Sequence, residues 1–223
     1  MNEIDLIKLR YEKRKSNPLN TKLKSFFYFD YFMQSEREII FLKIISSIFV
    51  ERNNLKLMEI GAGMGTNIYF FLKHGFKPEN IYANELLDDR LETLHEKFPF
   101  IHIIPGDASA LDYQNEFDIV FQSTVFTSVL DEELKTKLAN KMWKMKKENG
   151  IVLWYDFVYD NPRNKDVQGI SKNQVRKLFP NAQRITFYKV TLAPFIGRRI
   201  GRLYHLINSL FPFLRTHTIA LIY

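Results

Sequence analysis

The chain has 223 residues, 46% of them hydrophobic, with 20 Phe and 11 Tyr, enough to bury one aromatic-rich core and too few for two comfortable domains. It holds no cysteine, which excludes disulfides, thiolate metal sites and cysteine nucleophiles together and fits a cytoplasmic protein. No uncharged apolar run reaches the roughly 18 residues of a membrane span, and no basic-then-apolar leader is expected; the net charge of +7 leaves two readings open, an anionic partner or a lysine-rich composition without functional meaning.

In chain order, residues 1–53 read as a helical N-terminal extension and 54–223 as the domain that follows it. Leu6, Ile7, Leu9 and Tyr11 fall near one helical face, and Ser16-Asn17-Pro18 interrupts it. Ser35 and Glu38 have the spacing of a capping box and predict a second helix over 35–51. Residues 55–60 form a short apolar strand, and "GAGMG" at 61–65 separates it from a helix that stops near Gly75, a residue suited to the C′ position. A strand at 80–84, a helix at 88–98 ended by Pro99, and strands at 101–104 and 117–122 follow. Residues 131–148 form an amphipathic helix with Leu134, Leu138, Met142 and Met145 on one stripe, closed by Asn149-Gly150. A strand at 151–157 comes next, then a helix at 171–179 with Ser171 and Gln174 spaced for a capping box. Strands at 184–192 and 218–223 flank a long basic segment. Alternating strands and helices predict an α/β, doubly wound, mostly parallel sheet.

The glycine turn sits after a strand and opens a helix, where bare backbone and free N–H groups can meet a ligand. A dinucleotide fingerprint needs glycine three positions after Gly63, and Thr66 stands there. The spacing is instead Glu59-x-Gly61-x-Gly63-x-Gly65. At the end of the second strand stands Glu85, 20 residues after Gly65, where a carboxylate can accept from both ribose hydroxyls. Gly106-Asp107-Ala108 follows the third strand, and "FDIV" at 117–120 delivers Gln122 and Ser123 to the same edge.

In that order these segments resemble the motifs of class I S-adenosylmethionine-dependent methyltransferases. The resemblance implies a Rossmann-like seven-stranded sheet whose last strand inserts antiparallel between strands five and six. It implies S-adenosylmethionine as cofactor, leaving as S-adenosylhomocysteine, held by Glu59, Gly61, Ala62, Gly63, Gly65, Glu85, Leu86, Asp107, Ala108 and Gln122, with Asp107 accepting from the adenine amino group. Tyr11 and Arg14 then read either as part of a lid over the donor or as ordinary surface residues.

Methyl transfer from a sulfonium needs alignment and water exclusion, and a base only when the acceptor is a hydroxyl. Asp156, ending a central strand, and His217, preceding the last, are the candidate catalytic residues, as acceptor base or acceptor-binding groups. A salt bridge explains Asp156 about as well, and a capping or core role suits His217. No metal is expected, since only Asp156 is placed as a ligand. The missing cysteine rules out covalent pyrimidine C5 chemistry, and "QSTVFTS" stands where amino-group methylation of adenine would require a polar-Pro-Pro-aromatic signature; Asn161-Pro162 reads as a turn.

"FQSTVFTSVLD", "LWYDFVYDNPRNKDVQGI" and "LFPFLRTHTIALIY" resemble small bacterial methyltransferases associated with O-antigen, capsule and similar surface-polysaccharide biosynthesis. That implies O-methylation of a sugar hydroxyl or an anionic group on a glycan or nucleotide-activated precursor. An RNA or transfer-RNA methyltransferase is the rival enzyme, less expected without an appended RNA-binding module, and a non-catalytic partner of the same fold is the other alternative. Between Pro194 and Thr216, arginines interleave with apolar residues as in a basic amphipathic helix. Residues 195–214 therefore either touch an anionic membrane surface or cover the acceptor pocket. Oligomeric state is not legible.

Overall fold

The structure, a computed structural model, describes residues 2–15, 28–161 and 164–223; the interruption read at 16–18 and Pro162 of the expected turn lie outside them. Helices α1 (Glu3–Lys15) and α2 (Tyr28–Ile48) precede the first strand. Then come β1 (Leu57–Ile60), α3 (Thr66–Lys73), β2 (Ile81–Glu85), α4 (Asp88–Lys97), β3 (His102–Pro105), β4 (Phe117–Ser123), α5 (Glu132–Met145) and β5 (Lys146–Phe157). The chain ends with α6 (Lys172–Leu178), β6 (Ile185–Leu192), α7 (Pro194–Ile200), α8 (Tyr204–Leu210) and β7 (Arg215–Ile222). Cap chemistry fixes several boundaries: Asp131 Oδ1 accepts from Leu134 N at 2.7 Å at the start of α5, and Ser171 and Gln174 close the capping box of α6.

The seven strands lie in the order β3-β2-β1-β4-β5-β7-β6, parallel except for β7, which runs antiparallel between β5 and β6. Alternation along each strand divides the core between two faces. Leu57, Ile119, Phe121, Leu153 and Tyr155 pack under α2, α3 and α4 with Phe41, Ile45, Phe71 and Leu94. Met58, Val120, Val152 and Trp154 pack on the opposite face under α5 and α6 with Leu138, Met142 and Val175. With helices covering both faces, the central strands read as continuous apolar runs.

Several boundaries differ from expectation where tertiary contacts override local signals; β7, for one, begins at Arg215 and not at 218, since Arg215 pairs with Leu192. Ser35 lies inside α2, which extends back to Tyr28 because buried Phe29 packs edge-on to Tyr204 at 5.9 Å. Helix α5 ends at Met145 because Lys146 pairs with Phe117 and joins the sheet. The basic segment is two short helices rather than one, divided at Gly201, whose φ of 50° leaves the helical region. No helix among the described residues is long and apolar enough to cross a membrane.

Candidate active site

At the carboxyl ends of β1 to β4 lies a cavity of about 520 Å³, in the size range of small-molecule sites and at the sheet edge where open α/β folds bind ligands. Its floor is the turn after β1, the end of β2 and the loops after β3 and β4. Helix α1 roofs it with Ile4, Ile7 and Tyr11. Polar contacts hold that roof down: Arg10 Nη2 donates to Ser128 O at 3.0 Å, and Leu130 N donates to Glu3 Oε1 at 2.8 Å. Tyr11 faces the cavity with Arg90 stacked 4.4 Å from its ring centroid, whereas Arg14 donates to Asp166 O at 3.1 Å.

The glycine turn is shaped by two requirements. Gly65 caps α3 in the left-handed region, φ 80°, and a Cβ there would lie 2.2 Å from Phe98 Cε2; only glycine meets both conditions. Gly63, φ 62°, faces outward, the nearest atom to an added Cβ being Arg90 Nη1 at 3.9 Å. Bare backbone at Gly63 therefore opens on the cavity, while at Gly65 it permits packing.

Two acids stand on this floor. Glu85 is buried, and its Oε1 accepts from Leu86 N at 2.7 Å and Leu87 N at 2.9 Å. Its Oε2 accepts from Gly63 N at 2.7 Å, with Arg90 Nη1 at 3.8 Å. Asp107 accepts from Ser109 N and Ser109 Oγ, each at 2.8 Å. A carboxylate has about four lone-pair sites, so both are oriented by the protein and keep acceptor capacity toward the cavity. Leu86, Leu87 and Ala108, with Leu138 from α5, give the same end an apolar lining.

Behind the floor is a polar chain absent from the sequence reading. Arg37 of α2 is buried and lines the cavity. It donates from Nη2 to Asn67 Oδ1 at 2.9 Å and from Nη1 to Ser123 Oγ at 3.2 Å, and its guanidinium lies 4.9 Å from the Tyr155 ring centroid. Among the described residues it has no carboxylate partner, and its Nε is unpaired. Asn67 passes the contact on, donating to Glu59 Oε1 at 2.7 Å. Burial pushes the Glu59 carboxyl up to about 8 against the opposing Asn67 bond and Arg37 charge, so Glu59 is neutral at pH 7 and leaves Arg37 uncompensated. The signal in the sequence was a cation one helical turn before Phe41, on the same face as Asp30, Met33 and Gln34.

Gly61, Ala62, Gly63, Glu85, Leu86, Asp107 and Ala108 thus come together on the cavity wall, whereas Glu59, Gly65 and Gln122 stand behind it. Gln122 is fully buried; its Oε1 accepts from Val125 N at 3.0 Å and its Nε2 donates to Tyr155 O at 3.3 Å, setting the turn after β4.

Asp156 and His217 lie outside the cavity lining and apart from each other. Side chains alternate along β5, so Asp156 shares the face of Trp154, while His217 stacks on Tyr155 at 5.5 Å from the other face. Thr127 Oγ1 donates to Asp156 Oδ1 at 2.6 Å, and no arginine pairs with it among the described residues. Burial pushes the Asp156 carboxyl up to about 7. Burial, helped by the Arg37 charge, pushes His217 down to about 4. The two candidate residues therefore stand on opposite faces of the sheet. Residues 195–214 also contribute nothing to the cavity lining; the cover comes from α1 and α2.

No protein-family model and no curated protein sequence matches the chain. Solved structures do resemble it. A protein of Pyrococcus horikoshii OT3 is 12% identical, with a TM-score of 0.60 over 83% of this chain and 88% of that one. An S-adenosylmethionine-dependent methyltransferase of Mesorhizobium loti is 12% identical, with a TM-score of 0.58 over 81% and 95%. The glycopeptide N-methyltransferase MtfA, complexed with sinefungin, is 16% identical, with a TM-score of 0.55 over 81% and 90%. At these identities the likeness shows the fold: the chain has the architecture of the S-adenosylmethionine-dependent methyltransferases among these structures.

Proposed function

We propose that the protein is an S-adenosylmethionine-dependent methyltransferase. The observation that carries the reading is the convergence of Gly63, Glu85 and Asp107 on one cavity at the carboxyl ends of β1, β2 and β3. The site's donor set fits the cofactor: two oriented carboxylates for hydroxyl and amino donors, an apolar lining for a purine, backbone bared at Gly63, and an uncompensated guanidinium for a carboxylate. When bound, S-adenosylmethionine supplies a methyl group already activated on a sulfonium.

The chain's own contribution is then binding, orientation and exclusion of water. Glu85, with three of its roughly four lone-pair sites already filled, accepts from one ribose hydroxyl; Asp107 accepts from the adenine amino group, and Arg37 binds the carboxylate. Ile4, Ile7 and Tyr11 keep water from the reacting edge, which favours a displacement whose charge is dispersed in the transition state. Of the carboxylates on the cavity wall, Glu85 and Asp107 are taken up by the cofactor, which leaves Asp30 to serve a hydroxyl acceptor as base, while an anionic acceptor needs none.

The acceptor in this reading is a sugar hydroxyl or anionic group on a glycan or nucleotide-activated precursor. The surface-glycan resemblance of the β4, β5 and β7 segments supports it, as does Arg90 on the cavity. Incubating purified protein with methyl-labelled donor and fractionated nucleotide-sugar, glycan and transfer-RNA pools tests the proposal. Label in a sugar-containing fraction supports the acceptor class, label in transfer RNA alone overturns it, and no label in any fraction argues for the non-catalytic alternative.

A further inference from the structure

Charge is segregated along this chain. Residues 167–223 contain nine Lys and Arg and no Asp or Glu, leaving 23 basic against 25 acidic residues in 1–166. The whole positive excess therefore belongs to the final quarter. Such asymmetry marks contact with an anionic surface more specifically than a high overall pI does.

Within that quarter, α8 is built inside out. A surface helix ordinarily buries its leucines and exposes its amides. Here Tyr204 and Asn208 are the buried positions, and both are hooked to α2: Tyr204 Oη donates to Glu36 Oε2 at 2.8 Å, and Asn208 Nδ2 donates to Glu36 Oε1. Leu203, Leu206 and Leu210, spaced i, i+3 and i+7 on one stripe, are exposed instead. Phe195 on α7 and Phe213 beyond α8 join them at 65% and 70% exposure. Arg198 and Arg199 stand exposed on the same segment, Arg199 lying 4.6 Å from the Phe195 ring centroid. Glu36 also accepts from Thr191 N at 3.1 Å, so the segment is pinned at β6 as well as α2 with its apolar stripe outward.

We infer that residues 195–214 dock the protein on an anionic phospholipid surface. Charge complementarity selects the partner: cations meet the headgroups while leucine and phenylalanine side chains enter the acyl boundary. A nucleic acid would use the arginines and leave this stripe in water. Helix α2 lies between the patch and the cavity, with Phe29 and Phe32 against Tyr204 and with Gln34 and Arg37 on the cavity. Helices α8 and α2 both stand between the outward stripe and the cavity, so docking holds the cavity about two helix diameters from the lipid surface. The inference is independent of the methyltransferase reading, because its test needs no cofactor.

The test is flotation of the full chain with vesicles of phosphatidylcholine alone or mixed with phosphatidylglycerol. The expected result is flotation with the anionic vesicles only, weakening as salt rises from about 0.05 M to about 0.5 M. Arg198→Glu with Arg199→Glu, and separately Leu206→Ser with Phe213→Ser, each lower binding by roughly tenfold or more. Circular dichroism and thermal melts check that the variants remain folded, and none of the four residues lines the cavity. Absence of flotation at low salt overturns the inference, and so does equal flotation with neutral vesicles. A dimer that the leucine–phenylalanine variant dissociates, or RNA binding insensitive to that variant, in the absence of flotation, also overturns it.

Discussion

Gly63 donates its backbone N–H to Glu85 Oε2 at 2.7 Å, tying the turn after β1 to the acid that ends β2. The other oxygen of Glu85 gathers Leu86 N and Leu87 N, so one carboxylate organises two walls of the cavity. Glu85→Ala leaves three N–H groups without their acceptor, at a cost of about 1–3 kcal/mol in stability for a buried group. Thermal melts should show a lower Tm for Glu85→Ala, with Glu85→Gln between it and the wild type because one carbonyl oxygen is kept. A Tm unchanged in Glu85→Ala contradicts the organising role.

The glycines of the turn should separate by phenotype. Gly65→Ala places a methyl 2.2 Å from Phe98 at a left-handed position and should destabilise by roughly 2 kcal/mol or more. Gly63→Ala meets no atom closer than 3.9 Å and should cost about 1–2 kcal/mol from backbone strain alone, while its methyl enters the cavity and weakens cofactor binding. Denaturant melts and calorimetry on the two variants check this; equal stability and equal affinity contradict it.

Arg37 should discriminate between ligands by charge. Arg37→Met is expected to weaken S-adenosylhomocysteine binding roughly 10- to 100-fold, the range for a hydrogen bond to a charged group. Methylthioadenosine, which has no carboxylate, should lose little. Equal losses for the two ligands would show that Arg37 supports the fold rather than the ligand's carboxylate.

Asp156 sets a pH dependence of stability. Burial raises its folded carboxyl to about 7 from an ordinary 3.8, so the native state binds more protons between those values. The stability it contributes is complete below about pH 4 and is lost as pH rises to about 7. Glu59, raised to about 8, acts in the same direction. His217, lowered to about 4, acts oppositely, and its contribution is lost as pH falls below about 6.5. Asp156→Asn keeps the acceptor for Thr127 and removes the titrating proton. Its Tm should exceed the wild type's at pH 8 by roughly 5 °C or more, the difference shrinking toward pH 5. A difference independent of pH contradicts the protonation argument.

The sheet and its ligand edge were legible because β1, the glycine turn, Glu85 and Asp107 lie within short segments whose local chemistry fixes their conformation. Arg37 was not legible, because its approach to Ser123 spans 86 residues of sequence and only packing of α2 on the sheet creates it. Asp156 was placed on its strand and His217 just before the last one, which in fact begins at Arg215 and includes it; their separation depends on which face each side chain takes and on the cross-strand register. The inverted α8 was hidden by Glu36, a distant acid that makes burial of Tyr204 and Asn208 favourable.

The most direct test is calorimetric titration of S-adenosylhomocysteine into the wild-type chain and into Asp107→Ala. One saturable site in the wild type, weakened roughly tenfold or more by loss of the acceptor proposed for the adenine amino group, is the predicted result. No binding to the wild type, or the same affinity in both proteins, would contradict the assignment of this cavity.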